Sequence, residues 1–309
     1  MKTIDVTALG EILIDFTPSG TDSSGDALLA RKAGGAPVNL LATVAKFGGS
    51  TAFIGKVGHD IPGSFLRETV KKHGICDSGL VADCEHNTTL AFVELSSGGD
   101  RSFSFYRRYG ADIFLKKEEV KKELIENAKI FHFGSLSLTA EPAKSATNYA
   151  IDIAKKAGCI ISYDPNYRAP LWESEQAAIG AMKAPLNAVD ILKISKEELE
   201  MLFGSDEQAA INAVFEKGVK LAAVTDGANG AKLFFKGKSA SVAGAPAKTV
   251  DTTGAGDIFF GTFLSEFLKN GKTLDNTNFE SAVDFLKKAV EVSAKSTEYH
   301  GAIAAIEQL

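Results

Sequence analysis

The stretch Asp-Thr-Thr-Gly-Ala-Gly-Asp at residues 251–257 leads directly into an apolar run at residues 258–268. The apolar residues of this run fall on most sides of a helical wheel, which predicts a helix packed into the protein interior. Gly254 and Gly256 each cost about 1 kcal/mol relative to alanine inside a helix, so their presence indicates a need for bare backbone amides at its start. Free amides at a helix start, with the helix dipole behind them, form an anion-binding site.

Asp257 lies in the first turn of this predicted helix. Its carboxylate could accept a proton from an alcohol that attacks a phosphoryl group held by the amides. The alternative is an ordinary capped helix, in which Asp251, Thr252 or Thr253 caps the amides and Asp257 only interacts with the dipole. Because caps rarely need two glycines, the stretch favours a phosphoryl-transfer site.

Composition and charge exclude several classes of protein. The chain has 309 residues with 45% hydrophobic content, which is enough for one large α/β domain. Its net charge is -5 without a long basic block, so no nucleic-acid partner is expected. Cys76, Cys84 and Cys159 are widely spaced, which argues against a disulfide framework or a zinc site and favours a cytoplasmic location. No apolar run reaches the roughly 18 residues of a membrane span, so no membrane association is expected.

The order of the predicted elements indicates the architecture. Residues 88–95 and 102–109 are two predicted strands that flank a hairpin signal at residues 96–101, with no helix between them. From residue 116 onward, predicted helices and strands alternate, which indicates a parallel sheet with helices on both faces. Ligands of such sheets bind beyond the carboxyl ends of the strands. The interruption of the alternation indicates a second, smaller sheet.

Two motifs carry a resemblance to a known family. Residues 251–257 and the upstream stretch Ala-Gly-Gly-Ala-Pro-Val-Asn at residues 33–39 resemble the two signatures of the PfkB (ribokinase-like) family of carbohydrate kinases. The likeness extends over essentially all 309 residues. Residues 10–16, Gly-Glu-Ile-Leu-Ile-Asp-Phe, and residues 164–168, Asp-Pro-Asn-Tyr-Arg, are most similar to the fructokinase and 2-keto-3-deoxygluconate kinase branch.

The resemblance implies a specific fold. We expect a single ribokinase-like domain over residues 1–309, of class α/β, with three αβα layers around a central, mainly parallel sheet. A small β-sheet lid, formed by about residues 12–32 and 88–109, is expected to cover the sugar. Within the first of these segments, residues 17–26 are a predicted loop because they are rich in Ser, Thr, Asp and Gly.

Several of the predicted sugar ligands lie in the first forty residues. Gly34 and Gly35 leave backbone amides open to a ligand, and Asn39 offers both a donor and an acceptor to hydroxyls. The alternative for these residues is a glycine-rich turn followed by a helix-start Asn. The resemblance implies that Asp15 accepts hydrogen bonds from two sugar hydroxyls, whereas the residue pattern alone leaves a turn or cap role open.

Two arginines complete the predicted sugar site. Strand alternation places Arg107 on one face with Phe105 and puts Arg108 on the other, and Arg107 is predicted to reach the substrate rather than to remain a solvated charge. Arg168 follows a predicted strand end, where it could bind sugar oxygens or a phosphate. The alternative for Arg168 is an exposed arginine in a helix-capping loop.

The resemblance also implies sites for ATP and metal ions. Nucleotide contacts are expected at two strand ends and the turns after them, from Lys193, Ser195, Thr225, Gly227 and Gly230. The family usually carries Asn-x-x-Glu where this chain has Ser-Lys-Glu-Glu at residues 195–198, and Glu198 is expected to organise Mg²⁺ through water. Carbonyl groups near Asp251 and Thr253 are expected to bind a monovalent cation, K⁺.

The implied activity is ATP-dependent phosphorylation of the primary hydroxyl of D-fructose to fructose 6-phosphate. Asp257 takes the proton in this reaction, and the developing charge is held by the amides of Gly254, Ala255 and Gly256. The alternative enzyme is a 2-keto-3-deoxygluconate kinase, because Arg107 and Arg168 could pair with a substrate carboxylate. A non-catalytic sugar-binding relative is less well supported, since a binding module needs no base beside an anion site. The resemblance further implies a homodimer formed through the lid.

Overall fold

The computed structural model describes residues 2–95, 101–270 and 273–309. The strands in this part of the chain are β1 (Ile4–Leu9), β2 (Leu13–Thr21), β3 (Ala27–Gly34), β4 (Thr51–Gly58), β5 (Ile75–Asp83), β6 (Leu90–Leu95), β7 (Arg101–Tyr106), β8 (Ala128–Gly134), β9 (Ile160–Asp164), β10 (Ile191–Ser195), β11 (Leu221–Thr225), β12 (Gly230–Phe235) and β13 (Lys238–Ala243). The α-helices are α1 (Ala36–Lys46), α2 (Ile61–Lys72), α3 (Lys122–Glu126), α4 (Ala143–Lys156), α5 (Glu175–Lys183), α6 (Lys196–Phe203), α7 (Glu207–Glu216), α8 (Ala255–Lys269), α9 (Phe279–Ser296) and α10 (Ala302–Gln308).

The main sheet has nine strands in the order β13-β12-β11-β10-β9-β8-β1-β4-β5. The seven strands from β11 to β5 run parallel, and only β12 and β13 are antiparallel to their neighbours. Parallel strands covered on both faces are apolar along their whole length, and every residue of β4 is buried. This sheet confirms the predicted α/β class with a central, mainly parallel sheet.

Helices cover both faces of the main sheet. One apolar core contains residues of α1, α2, α8, α9 and α10, and the other contains residues of α4, α5, α6 and α7. The predicted three-layer αβα arrangement is therefore confirmed. The sheet places the carboxyl ends of its parallel strands at one edge, where ligand sites of such folds form.

The helix predicted from the 258–268 run lies in the interior. Along α8, Ile258, Phe259, Phe263 and Phe267 are at most 3% exposed, and α8 packs against both α1 and α9. An isolated helix of this composition would expose apolar surface on all sides, so its neighbours in the core stabilise it.

A separate four-stranded sheet has the order β3-β2-β6-β7. It confirms the predicted second sheet. Of the hairpin signal at residues 96–101, only Arg101, the first residue of β7, lies within the described residues. The prediction of a loop over 17–26 is wrong for its first half, because β2 continues to Thr21 and pairs with β3 as far as Ala27. Residues 18–21 carry no apolar alternation because this end of the hairpin is exposed on both faces.

Strand β5 at the edge of the main sheet has no counterpart among the predicted elements. Its residues alternate irregularly between buried and exposed, and its pairing with β4 contains a register shift near Ile54. None of the helices in the described ranges combines the length and the apolar character that crossing a membrane requires.

Candidate active site

A cavity of about 300 Å³ lies between the strand ends of the main sheet and the small sheet. Residues that the sequence predicts for the site contribute much of its wall, namely Asp15, Gly35, Asn39, Arg168, Thr253, Gly254 and Asp257. The remaining lining residues are Glu11, Leu13, Ala36, Phe105, Leu136, Asn166 and Thr252. The tertiary structure thus brings together segments that lie more than 200 residues apart in the chain.

The start of α8 forms one wall of this cavity. Gly254 is the residue before the helix and has φ 76°, a left-handed conformation that glycine adopts without strain. The amide of Ala255 donates to the carbonyl of Thr252 at 3.2 Å, so it is already used within the turn. Within the described part of the chain, the amides of Gly254, Gly256 and Asp257 donate no hydrogen bond. The structure thus offers these three amides, rather than that of Ala255, to an anion.

Asp257 is held by Asn39. The side-chain nitrogen of Asn39, on α1, donates to Oδ2 of Asp257 at 2.8 Å. Burial raises the pKa of Asp257, whereas the hydrogen bond from Asn39 and the charges of Lys193 and Arg168 act in the opposite direction. The sequence predicts Asn39 as a hydroxyl ligand, and the structure gives it direct contact with Asp257, the predicted base, as well. Its Oδ1 is buried and has no hydrogen-bond partner among the described residues, so it remains available to a hydroxyl.

A buried ion pair lies behind the first turn of α8. The ammonium group of Lys193, on β10, is 2.9 Å from Oδ2 of Asp164 at the end of β9, and both side chains are buried. A Cβ atom on Gly256 would lie 3.1 Å from the Lys193 ammonium group, so the glycine leaves room for this charge. Burial raises the pKa of Asp164 to about 6, although Lys193 acts to lower it. The pair has no net charge when both groups are ionised, but its positive member, the Lys193 ammonium group, is the one that lies close to Gly256.

Asp15 lies on β2 next to a glycine of β3. A Cβ atom on Gly34 would collide with the Asp15 carboxylate, so this position accepts no side chain while Asp15 keeps its orientation. Burial raises the pKa of Asp15 to about 6, and the charges of Arg168 and Lys32 oppose that rise. The predicted role of Gly34 as an open amide thus becomes one of making room for a carboxylate.

Ser195 and Glu198 form a capping box at the start of α6. Oγ of Ser195 accepts from the Glu198 amide at 3.2 Å, and Oε2 of Glu198 accepts from the Ser195 amide at 2.8 Å. Oε1 of Glu198 accepts from the amide of Tyr167 at 2.7 Å, so both carboxylate oxygens are occupied. A serine in place of the family's asparagine is therefore used as a helix cap. Across residues 2–95, 101–270 and 273–309, no group of three or more His, Cys, Asp or Glu could hold a metal ion.

Asp251 fixes the loop that precedes α8. Its Oδ1 accepts from the amide of Thr253 at 2.8 Å, and its Oδ2 accepts from the amide of Gly301 at 2.9 Å. These bonds tie the 251–254 turn to the segment before α10. The Asp251 side chain thus positions the turn, whereas the sequence predicts a cation contact through carbonyls near Asp251 and Thr253.

Arg107 is not placed with the predicted sugar ligands. Its Nε donates to Oδ2 of Asp112 at 2.7 Å, its Nη1 to Thr139 at 2.9 Å and its Nη2 to the carbonyl of Leu136 at 2.9 Å. The residue is buried and is absent from the wall of the cavity, which Phe105 reaches instead. Strand alternation could not reveal this, because β7 ends at Tyr106 and a buried carboxylate in the next turn binds the guanidinium.

We expect Arg107→Ala to lower the free energy of unfolding by about 3–5 kcal/mol, because it leaves Asp112 buried without its cation. The KM for the sugar should stay within about twofold in the folded enzyme. Urea unfolding and steady-state kinetics measure the two effects. Arg108→Ala is the matched control, since Arg108 is exposed and lies over the Tyr109 ring. A large rise in sugar KM without loss of stability would return Arg107 to the substrate site.

Comparison with known proteins decides the family. The model of the pfkB family carbohydrate kinases matches residues 3–309 of this chain. The chain belongs to the pfkB family of carbohydrate kinases. Fructokinase-2 of Oryza sativa subsp. japonica is 41% identical to this kinase over 306 residues, which cover 97% of this chain and 90% of the rice protein.

Solved structures of pfkB-family relatives share the fold of this kinase. A fructokinase from Xylella fastidiosa with bound ATP superposes with a TM-score of 0.91 at 31% identity, covering 99% of this chain and 95% of that one. A double-mutant fructokinase from Vibrio cholerae O395 with bound fructose, ADP and potassium ion gives a TM-score of 0.86 at 30% identity, covering 99% and 96% of the two chains. The chain is therefore a carbohydrate kinase with the ribokinase-like fold.

The remaining predicted nucleotide residues of the kinase lie outside the cavity wall. Thr225 ends β11 and pairs in register with Ser195, which ends β10. Gly227 and Gly230 follow in the turn between β11 and β12. They lie at the carboxyl edge of the parallel strands, the edge at which the cavity lies, and a nucleotide role for them stays a prediction.

Sequence reasoning missed several lining residues of the kinase. Glu11 lies within the stretch that resembles the family, but a single acidic residue there gave no signal of its own. Phe105 was expected to share a face with Arg107, yet only Phe105 reaches the cavity. Asn166 has φ 49°, a left-handed conformation that Asn tolerates better than most residues, and it could have been expected to mark a tight turn at the strand end.

Proposed function

We propose that this kinase transfers the γ-phosphoryl group of ATP to the primary hydroxyl of D-fructose and produces fructose 6-phosphate and ADP. The observation that carries the proposal is the position of Asp257, a buried carboxylate beside the free amides of Gly254 and Gly256 in the cavity wall. A base and an anion site at one point suit phosphoryl transfer to an alcohol. The names of the relatives at about 40% identity support fructose as the acceptor.

In this proposal the chain's own residues divide the chemistry. Asp257 takes the proton of the hydroxyl, whose oxygen forms a bond to the γ-phosphorus while the bond from that phosphorus to the bridging oxygen of ADP breaks. The amides of Gly254 and Gly256 donate to the transferring oxygens, and Lys193 contributes charge from behind. Preorganised donors of this kind each supply roughly 3 kcal/mol of transition-state stabilisation. Asn39 keeps the Asp257 carboxylate in place for the proton transfer.

The charges of the cavity favour a neutral sugar over a sugar acid. Among the described residues, the wall contains the carboxyl groups of Glu11, Asp15 and Asp257 and the guanidinium group of Arg168. A 2-keto-3-deoxygluconate site would use Arg107 together with Arg168, but the donors of Arg107 are bound to Asp112, Thr139 and Leu136. A substrate carboxylate would therefore meet more negative than positive charge.

Metal ions enter the proposal through the nucleotide. Mg²⁺ usually keeps several waters and binds to substrate phosphates with one or two carboxylates. Both oxygens of Glu198 already accept hydrogen bonds from backbone amides. We therefore propose that the phosphates supply most of the ligands of Mg²⁺ and that Glu198 acts on the ion through water. Carbonyls of the 251–253 turn would hold K⁺, and the Vibrio cholerae relative with bound potassium ion supports a cation requirement.

The experiment that tests the proposal measures ATP consumption by the purified enzyme with Mg²⁺ and K⁺. D-Fructose, 2-keto-3-deoxygluconate, D-ribose and adenosine are compared side by side, and the phosphorylated position is identified by nuclear magnetic resonance. We expect kcat/KM to be highest for D-fructose, with phosphate on the primary hydroxyl. Preference for the keto acid would overturn the substrate assignment, and silence with every acceptor would favour a non-catalytic sugar-binding protein.

Sugar phosphorylation should weaken in acid. Burial raises the pKa of Asp15 to about 6 and raises that of Asp257 as well, and both groups act as carboxylates. As pH falls through about 6, Asp15 gains a proton and no longer accepts from two hydroxyls. We expect kcat/KM for fructose to be about tenfold lower or more at pH 5 than at pH 7.5. Steady-state kinetics from pH 5 to pH 7.5 measure this decrease, and circular dichroism shows whether the enzyme stays folded. A kcat/KM that does not change with pH would contradict the prediction.

The homodimer through the small sheet and the cytoplasmic location stay predictions. Large apolar side chains are exposed on strands of that sheet, with Leu28 at 45%, Leu29 at 47% and Tyr106 at 65% exposure. Exposed apolar groups of this kind are typical of a contact surface. Light scattering of the purified kinase should give a molar mass twice that of one chain. The variant Leu29→Lys should lower the measured mass toward that of one chain.

A further inference from the structure

Glu11 lies where the chain passes from the main sheet to the small sheet, and its side chain contacts the start of α1. It lies in the segment between β1 and β2, is 3% exposed, and its Oε1 accepts from the amide of Ala36 at 3.0 Å. Ala36 is the first residue of α1, and the preceding Gly35 has no side chain to cap the helix. One oxygen of Glu11 therefore caps α1 from a distant part of the chain.

The other carboxylate oxygen of Glu11, Oε2, does not cap the helix. Oε2 is buried and makes no hydrogen bond to any residue in the described ranges. The nearby cation, Arg107, donates to Asp112, Thr139 and Leu136 instead. A buried carboxylate oxygen without a donor is costly and rare in folded proteins. Because Glu11 also lines the cavity, a ligand in the cavity is the group that could supply the missing donor.

We propose that Glu11 is a specificity-determining sugar ligand whose Oε2 accepts a hydrogen bond from a hydroxyl of the bound substrate. The inference rests on the proposed function and extends it to Glu11, a residue of the 10–16 stretch to which the sequence analysis gave no role. A sugar hydroxyl is a donor that fits this oxygen, whereas a carboxylate on the substrate would be repelled by it. Glu11 would thus act together with Asp15 in selecting a neutral, polyhydroxylated acceptor.

The electrostatics of the site agree with this assignment. Burial raises the pKa of Glu11 to about 7, against the lowering effects of the Arg107 charge and of the hydrogen bond from the Ala36 amide. A substrate hydroxyl that donates to Oε2 would favour the charged form. Hydrogen bonds to charged groups are stronger than those between neutral groups, so losing this one should be measurable in substrate affinity.

The first test is Glu11→Gln, which keeps an oxygen for the Ala36 amide and removes the charged acceptor. We expect the KM for D-fructose to rise about tenfold, with the KM for ATP within twofold and kcat within about threefold. Asp60→Asn is the matched control, because Asp60 caps α2 by accepting from Gly63 at 2.7 Å and does not line the cavity. This control should leave the fructose KM unchanged.

The second test identifies the hydroxyl. Deoxy analogues of D-fructose, each lacking one hydroxyl, are compared as acceptors for the wild type and for Glu11→Gln. With the wild type, kcat/KM for the analogue that lacks the partner hydroxyl should be about tenfold lower than for D-fructose. With Glu11→Gln, kcat/KM for the same analogue should be at most twofold lower than for D-fructose. Equal losses in both enzymes for every analogue, together with an unchanged fructose KM, would make Glu11 a helix cap only and overturn the proposal.

These outcomes are separate from a failure of the proposed function, which would appear as no fructose turnover by the wild type. Should Glu11→Gln not fold, the analogues are compared between the wild type and Asp15→Asn. The proposal then requires one hydroxyl whose removal lowers kcat/KM about tenfold in both enzymes, because a hydroxyl that donates to Glu11 is not bound by Asp15. Absence of such a hydroxyl would equally overturn the assignment of Glu11.

Discussion

Asp257→Asn should lower kcat by about 10²- to 10⁴-fold, because the variant retains the shape of the site but loses the carboxylate that we propose as the general base. The amide of the variant still offers an oxygen to Asn39, whose side chain donates to Oδ2 of Asp257 at 2.8 Å. The fold should therefore persist, and the KM values for sugar and ATP should change by no more than about threefold. Burial of the group, which raises its pKa, suits a base that must hold a proton during transfer.

Steady-state kinetics and binding calorimetry with the same preparation measure this effect. Asp15→Asn is the informative comparison, since Asp15 lies in the same cavity but is expected to bind hydroxyls rather than take a proton. It should raise the fructose KM about tenfold or more while leaving more of kcat than Asp257→Asn does. An Asp257→Asn enzyme that keeps more than about a tenth of wild-type kcat would show that another group acts as the base.

Gly254→Ala should reduce kcat/KM by about 10²-fold or more. Gly254 has φ 76°, so a side chain there strains the backbone by roughly 1–2 kcal/mol. The added Cβ would also lie 3.1 Å from Cα of Ala302 and in closer contact with its methyl group, so the turn or α10 must move. Moving the turn displaces the free amides, and one misplaced donor costs roughly 3 kcal/mol of transition-state stabilisation.

Gly74→Ala separates backbone strain from this displacement. Gly74 has φ 71°, close to that of Gly254, but no atom lies within 4 Å of the position of its Cβ. Both variants should lose similar stability from strain in thermal unfolding, whereas only Gly254→Ala should lose activity. If Gly254→Ala kept more than about a third of wild-type kcat/KM, the amides at the start of α8 would not be the anion site.

Much of the fold could be predicted because its signals are local. Alternating apolar strands and helices from residue 116 onward predicted a mainly parallel sheet, and the two strands without an intervening helix predicted the small sheet. The all-round apolar run after residue 257 predicted a buried α8. Exposed or irregular strands gave no such signal, so the outer half of β2 and the edge strand β5 were missed.

The site could be predicted only in part. Bare glycines beside an aspartate predicted the anion site, and the cavity contains Gly254 and Asp257 together. Which amide is free depends on the turn, since the amide of Ala255 is bonded to Thr252. The position of Arg107 depends on Asp112, five residues further along the chain, whose burial is not a property of the local sequence.

Apolar periodicity and glycine placement act within a few residues, so they were enough to indicate a parallel sheet with helices on both faces and an anion-binding helix start at residues 254–257. The motifs at residues 33–39 and 251–257 indicated the family by resemblance. The tertiary structure alone decided which charges meet. It paired Arg107 with Asp112, placed Lys193 behind Gly256, joined Asn39 to Asp257, and left Oε2 of Glu11 without a protein donor. Electrostatic and hydrogen-bond partners act over a few ångströms in space, and the groups that come so close are set by how the two sheets and their helices pack.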